Sequence, residues 1–215
     1  MRFRVASGLL LSTLALAPTR AHAQSLDPEQ RTMQTRMEHY FEGEKTEGYV
    51  FLGLGLAAAG SSVFLYTRED RVARGAAYPI AAVSLIQIAA GAVLLVRTDG
   101  QVADLETQIA KDPAGYRRDE TRRMDAVSRE FTWLTWGEIA LIAAGAGLGT
   151  YGALAKEDTL EGVGIGLAAQ SAVMLTLDLF ASARAERYRD DLARFHPTTS
   201  SASPLGFYVP VGARF

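Results

Sequence analysis

Three polar side chains stand inside otherwise apolar runs and carry the clearest chemical potential of this chain: Glu138, Asp178 and Gln87. Carboxyls held away from water are costly, and two of them close together can share a proton or hold a cation. Glu138 and Asp178 stand equally far, in opposite directions, from a polar turn at Asp158, so an antiparallel helix pair brings them to one depth. Gln87 belongs to a neighbouring run and sits somewhat deeper. Together they form a candidate ion or proton site. A structural reading competes with it. Glu138 opens its apolar run, and an acid is favoured at a helix start. Asp178 lies within two turns of a charged end that offers Arg97 and Arg184 as partners. The first half of the chain has Val50 and Gly91 at the corresponding places, so a symmetric pathway is not expected.

Other chemistry is poorly represented. Gly147, Gly149 and Gly152 match the dinucleotide pattern GxGxxG, but that motif needs a preceding strand and a βαβ unit, and here it falls within a helical apolar run. His39 has Glu38 and Glu42 nearby but no second histidine at helical spacing, so no metal site is expected. The chain has no cysteine, which excludes thiolate catalysis and disulfides. No Ser/His/Asp arrangement emerges, and Ser61, Ser62, Ser84 and Ser171 suit bonds to helix carbonyls. No catalytic, cofactor-binding or metal-ligating residues are assigned, and no cofactor is expected. A net charge of −2 offers no basic excess for nucleic acid.

The elements that would position the polar residues are four uncharged apolar runs: 49–66, 75–96, 139–155 and 163–177. Each is close to the roughly 20 residues a helix needs to cross a bilayer core. The fold class is therefore all-α: an integral membrane protein with four transmembrane helices, arranged as two duplicated hairpins with amphipathic helical extensions. The spans are rich in small residues. Gly145 and Gly149 form a GxxxG pair, as do Gly162 and Gly166, and Gly55 with Ala59 is a small-xxx-small pair. Such pairs let helices approach closely in lipid, where no hydrophobic force drives them together.

Residues 1–23 have the form of a secretory signal peptide. Arg2 and Arg4 precede a short apolar stretch, and Ala21-His22-Ala23 fits the small-x-small cleavage rule. Residues 24–48 form an amphipathic N-terminal helix capped by Asp27 and Pro28, with Gly43 and Gly48 expected to break it. Hairpin 1 covers 49–98, with Pro79 expected in the first turn of its second helix. An aqueous helical hairpin at 99–132 extends the second and third spans. Hairpin 2 covers 133–183, a helical extension follows at 184–196, and 197–215 is a Ser/Thr/Pro-rich tail.

The halves align at a shift of about 87 residues. Arg36-Met37-Glu38 matches Arg123-Met124-Asp125, Arg97 matches Arg184, and Asp104-Leu105 matches Asp191-Leu192. Both hairpins cross twice, so the repeats have parallel topology. A cleaved signal places the mature termini in the periplasm of a bacterial inner-membrane protein. The basic residues disagree: the turns hold Arg68, Arg71, Arg74 and Lys156, and the opposite side holds many more. Association with the outer membrane, where that rule does not operate, is the alternative. Aromatic residues mark two boundaries, with Tyr49, Trp133 and Trp136 at one and Tyr66, Tyr78 and Tyr151 at the other.

At the end of the chain, Leu205, Phe207, Val209, Val211, Ala213 and Phe215 alternate, with Pro210 interrupting. These ten or so residues resemble the closing strand of bacterial outer-membrane barrels, which ends in an aromatic residue. Nothing else in the chain could build a barrel, so 197–215 is read as a flexible tail with chance alternation, and a strand added to a partner's sheet edge is the alternative. The expected function is that of a non-enzymatic accessory or structural subunit of a bacterial envelope membrane complex. Its expected partners are membrane lipid and either envelope proteins or further copies of itself. A small channel or transporter with an acidic intramembrane site is the alternative.

Overall fold

Asp27 starts the first helix with a capping box: its carboxylate accepts from the Gln30 amide (2.7 Å), and the Gln30 side chain accepts from the Asp27 amide (3.0 Å). Pro28 fills the first turn, where its missing N–H costs nothing. The computed structural model describes residues 26–197, and they fold as four long helices: α1 (Pro28–Tyr66), α2 (Arg71–Lys111), α3 (Pro113–Ala155) and α4 (Asp158–Arg194). The signal peptide expected at 1–23 and the alternating tail lie outside the described residues. The connections are very short. Asp70 caps α2 through the Val72 amide (2.8 Å), and Asp112 alone joins α2 to α3 and caps the latter through the Gly115 amide (2.9 Å). Lys156 ends α3 in the left-handed region at φ 61°, a place glycine usually takes.

Two expectations need correcting. Gly43 and Gly48 do not break α1, which passes through both. A helical glycine costs only about 1 kcal/mol against alanine, and these two positions admit neighbours: Gly48 meets the Gly91 carbonyl of α2, and Gly43 the Arg184 side chain of α4. Pro79 is not in the first turn of α2. Because Asp70 caps the helix earlier, the charged stretch from Arg71 becomes that turn and Pro79 lies inside the helix.

All four helices are long and apolar enough to cross a membrane. Helices of about 40 residues span about 60 Å at 1.5 Å per residue, roughly twice the 30 Å of a bilayer's hydrocarbon core. The surface divides accordingly. Every large apolar side chain that is exposed lies within 49–96 or 133–180, among them Val96 at 83% exposure, Leu154 at 81% and Trp133 at 78%. In that half the interior is small or polar apart from Phe51, with Gly55, Ala76, Ser84, Gln87, Gly145 and Gly166 buried. The other half has the pattern of a water-soluble bundle. Its core joins Met33, Met37, Tyr40 and Phe41 of α1 to Ile109, Tyr116, Met124, Tyr188 and Leu192, one or more from each helix. The stretch 99–132 contributes Ile109, Tyr116 and Met124 to this core.

The helices neighbour one another in the order α1–α2–α4–α3, and α2 touches α3 only sparsely. The central pair, α2 and α4, runs parallel. Its contact repeats itself: a Cβ on Gly75 would strike the Thr159 carbonyl and approach the Val163 amide, and a Cβ on Gly162 would strike the Val72 carbonyl and approach the Ala76 amide. Each residue of the first contact lies 87 positions from its counterpart in the second.

Candidate functional site

One face of α4 links the buried polar clusters of the interior. Gly162, Gly166, Gln170, Asp178, Ala181, Ala185, Tyr188 and Leu192 are buried at spacings of three, four or eight, which keep to one side of a helix. The glycines face α2, with a Cβ on Gly166 coming within 2.6 Å of the Ala76 carbonyl. One turn further, the Gln170 amide donates to Gln87 Oε1 (3.0 Å), and the Gln87 amide donates to Met174 Sδ (3.4 Å). One turn beyond Met174, Asp178 meets Glu138 of α3, carboxyl against carboxyl. Glu138 Oε2 is buried without a hydrogen-bond partner.

The structure therefore brings Glu138 and Asp178 together and places Gln87 in a separate cluster one helical turn away. Two parts of the structural reading of the acids fail. Glu138 stands deep inside α3, so no helix terminus stabilises it. Asp178 takes neither Arg97 nor Arg184: Arg97 binds Glu44 (2.6 Å) and Arg184 binds Glu47, both on α1.

Those two ion pairs form the next level of the ladder, where the exposed surface changes from apolar to polar. Lys45 also binds Asp99 there. Burial raises the proton affinity of Glu47, opposed by its bond to Arg184. The last level lies within the water-soluble half. Glu120 is nearly fully buried, and Arg123 holds it through two bonds of 2.8 and 2.6 Å. The Tyr188 hydroxyl donates to Glu120 (3.0 Å), which leaves Tyr116 to donate to the Tyr188 oxygen (2.7 Å). Burial, followed by the charge of Glu120, raises the Tyr188 hydroxyl well above its usual range, and burial does the same for Tyr116. Tyr40 stacks on Tyr188 with ring centres 4.5 Å apart.

The small residues expected to pack occupy different contacts. Gly55 faces Gln87 and Ile88 of α2, with Ala59 half-buried one turn on. Gly145 lies against Ala168 and Gly164 of α4, and Gly149 more loosely against Ile165. Gly162 and Gly166 belong to the α2 contact, so the two GxxxG pairs do not meet. Sequence reasoning missed Gly48, Gly75, Gly91, Gly152 and Gly164, each of which faces a neighbouring backbone. It also missed the acids of α1. Their signal was Arg97 and Arg184 at matching span ends, which require acidic partners when half-buried. The GxGxxG residues lie within α3, where Gly149 and Gly152 face α4. His39 is exposed beside Glu42.

The ladder ends in the middle of the apolar half. Beyond Gln170, backbones meet at Gly75, Gly152, Gly162 and Gly164 with no room for a methyl group. No family model, curated protein or solved structure matches this chain.

Proposed function

We propose that this chain is a non-enzymatic subunit that anchors a rigid helical bundle at a bilayer surface, as part of a bacterial envelope membrane complex. The observation that carries this reading is the division of the surface. Exposed large apolar side chains are confined to 49–96 and 133–180, and the rest of each helix has a polar exterior and an apolar core. A bilayer as solvent accounts for that inversion in one half and water for the ordinary pattern in the other. The exposed Trp133, Trp136 and Tyr49 lie at the change, and the exposed Tyr66, Tyr78 and Tyr151 near the far end, as aromatic belts do. The mirrored contacts of Gly75 and Gly162 favour two duplicated hairpins related by a local two-fold along the bundle. With a signal peptide at 1–23 and the inner membrane as its home, the water-soluble half stands in the periplasm, where it meets protein partners.

A channel or transporter is the second reading, favoured by the meeting of Glu138 and Asp178 and the unpartnered Glu138 oxygen. The close glycine contacts beyond Gln170 weigh against a continuous path within one copy. Two measurements test these readings. Lys111→Cys and Thr159→Cys, in a chain without native cysteine, are treated in intact cells with a membrane-impermeant maleimide. Labelling at 111 alone supports the periplasmic bundle. Labelling at 159 alone reverses the orientation, and labelling of both in a carbonate-soluble protein removes the membrane reading. Purified protein in liposomes is expected to conduct no protons or cations above empty vesicles. A flux that Asp178→Asn abolishes would replace the structural role with the second reading.

A further inference from the structure

Where the exposed surface changes character, a cavity of about 300 Å³ lies among all four helices. Arg97, Arg123 and Arg184 line it, and so do Glu44, Glu47 and Glu130, so its charges balance. Its apolar wall includes Leu94, Phe131 and Leu134, on α2 and α3, which touch only sparsely. Leu134 is half exposed and continues into the outward-facing apolar band.

The balance of charge conceals two unmet hydrogen-bonding groups. Arg184 spends its terminal nitrogen on Glu47, and its Nε is buried with no acceptor. Gln101 Oε1 is buried with no donor. Both residues line the cavity. A group that satisfies them must accept at one place and donate at another. Glu130 is exposed on the same wall and makes no ion pair among the described residues, so it can face a cation.

We propose that this cavity binds the headgroup of a zwitterionic phospholipid bearing a primary ammonium, its phosphate on Arg184 and its ammonium between Gln101 and Glu130. The acyl chains leave past Leu94 and Leu134 into the bilayer. An anionic headgroup without an amine offers Glu130 no cation and adds charge to a site already neutral. A choline headgroup has the right charges but no N–H for Gln101. The proposal rests on the reading of the helices as membrane-spanning, and it can fail while that reading stands.

The test uses the full chain in detergent, stripped of native lipid and offered equal amounts of phosphatidylethanolamine, phosphatidylcholine and phosphatidylglycerol, with bound lipid counted by native mass spectrometry. Phosphatidylethanolamine is expected to be retained roughly tenfold over phosphatidylcholine, the weight of one hydrogen bond involving a charged group. Neither Gln101→Leu nor Glu130→Gln removes an ion pair or should lower the thermal midpoint; Gln101→Leu should bring the ratio near unity, and Glu130→Gln should weaken retention of both zwitterionic lipids against phosphatidylglycerol. Equal retention of the three lipids by the parent chain overturns the proposal, and so does a preference for phosphatidylethanolamine over phosphatidylcholine that survives Gln101→Leu. Displacement of the lipid by an equal concentration of free glycerophosphoethanolamine overturns the lipid assignment and moves the ligand to water. A chain that fails to partition into detergent at all refutes the membrane reading instead.

Discussion

Alanine substitutions at glycines of the same four helices should change sign with position. A Cβ on Gly166 comes within 2.6 Å of the Ala76 carbonyl, where ordinary contact begins at 3.4 Å, so α2 and α4 must part by about 0.8 Å. Gly162 is tighter still. Forcing added carbon into a packed contact costs typically 1–3 kcal/mol. Replacing a helical glycine with alanine returns about 0.5–1 kcal/mol wherever the site is free. Gly162→Ala should therefore destabilise the protein by about 1–2 kcal/mol net. Gly53, Gly60 and Gly147 have nothing within 4 Å of a built Cβ, and their alanine variants should be neutral or stabilised.

The mirrored contact sharpens the test. Gly75→Ala and Gly162→Ala strain the same α2–α4 seam, so each should cost the same. The double variant should cost less than the sum, because the first substitution already separates the helices that the second would push apart. Thermal or detergent-induced unfolding of the purified protein, followed by helical circular dichroism, measures the five single variants and the double. Gly53→Ala and Gly162→Ala shifting together, or a strictly additive double variant, would refute close backbone packing as the source of cohesion in this half.

The half with the apolar core gives three further predictions. Arg123→Met leaves the nearly buried Glu120 without its guanidinium and should destabilise this half by about 3–5 kcal/mol, read as loss of hydrogen-exchange protection around Tyr188; protection equal to the parent would show that Tyr188 alone satisfies Glu120. Tyr116 and Tyr188 hold their protons above the ordinary value of 10.0 in the folded state, so the unfolded chain ionises first and stability, intact below pH 10, falls as pH rises beyond it. Ring-labelled tyrosine resonances should report ionisation of these two residues only together with unfolding, and tyrosinate signals from a folded bundle would contradict the buried network. Asp27→Ala removes the capping box and should cost about 1 kcal/mol, with faster amide exchange confined to the first turns of α1.

The four helices were legible because a run of 15 to 20 apolar residues is a signal that depends only on composition and length. Asp27 and Pro28 were legible because capping is local. The errors share a cause. Gly43, Gly48 and Pro79 have local preferences against helix, and each was given its local meaning, as a break or a first-turn residue. Contacts from distant segments override such preferences: Gly91 and Arg184 occupy the space that Gly48 and Gly43 leave open. The meeting of Glu138 and Asp178 followed from hairpin arithmetic. Their isolation from Gln87 did not, because it depends on which face of α4 meets α2, and that is decided by glycines seventy or more residues apart. Glu44 and Glu47 were invisible for the same reason, since each partner is an arginine on another helix.

The contacts between helices follow an 87-residue shift at some levels and depart from it at others. The α2–α4 seam repeats with a shift of 87 residues down to individual carbonyl contacts. Gln87 and Met174, related by the same shift, touch across it. At the next level the repeat fails in a particular way. Arg97 and Arg184 correspond, yet both turn to α1, where Glu44 and Glu47 receive them. The positions on α3 that correspond to those acids are Phe131 and Leu134, which line the cavity instead. One flanking helix thus neutralises both arginines, and the other is left apolar. A strictly symmetric protein would have closed this level with two equivalent ion pairs on opposite sides. Moving both acids to one side leaves Phe131 and Leu134 in the corresponding places on the other, beside Arg184 with its Nε unpaired. The asymmetry that makes the cavity amphiphilic therefore arises from two positions on one flanking helix, against a central seam that kept its symmetry.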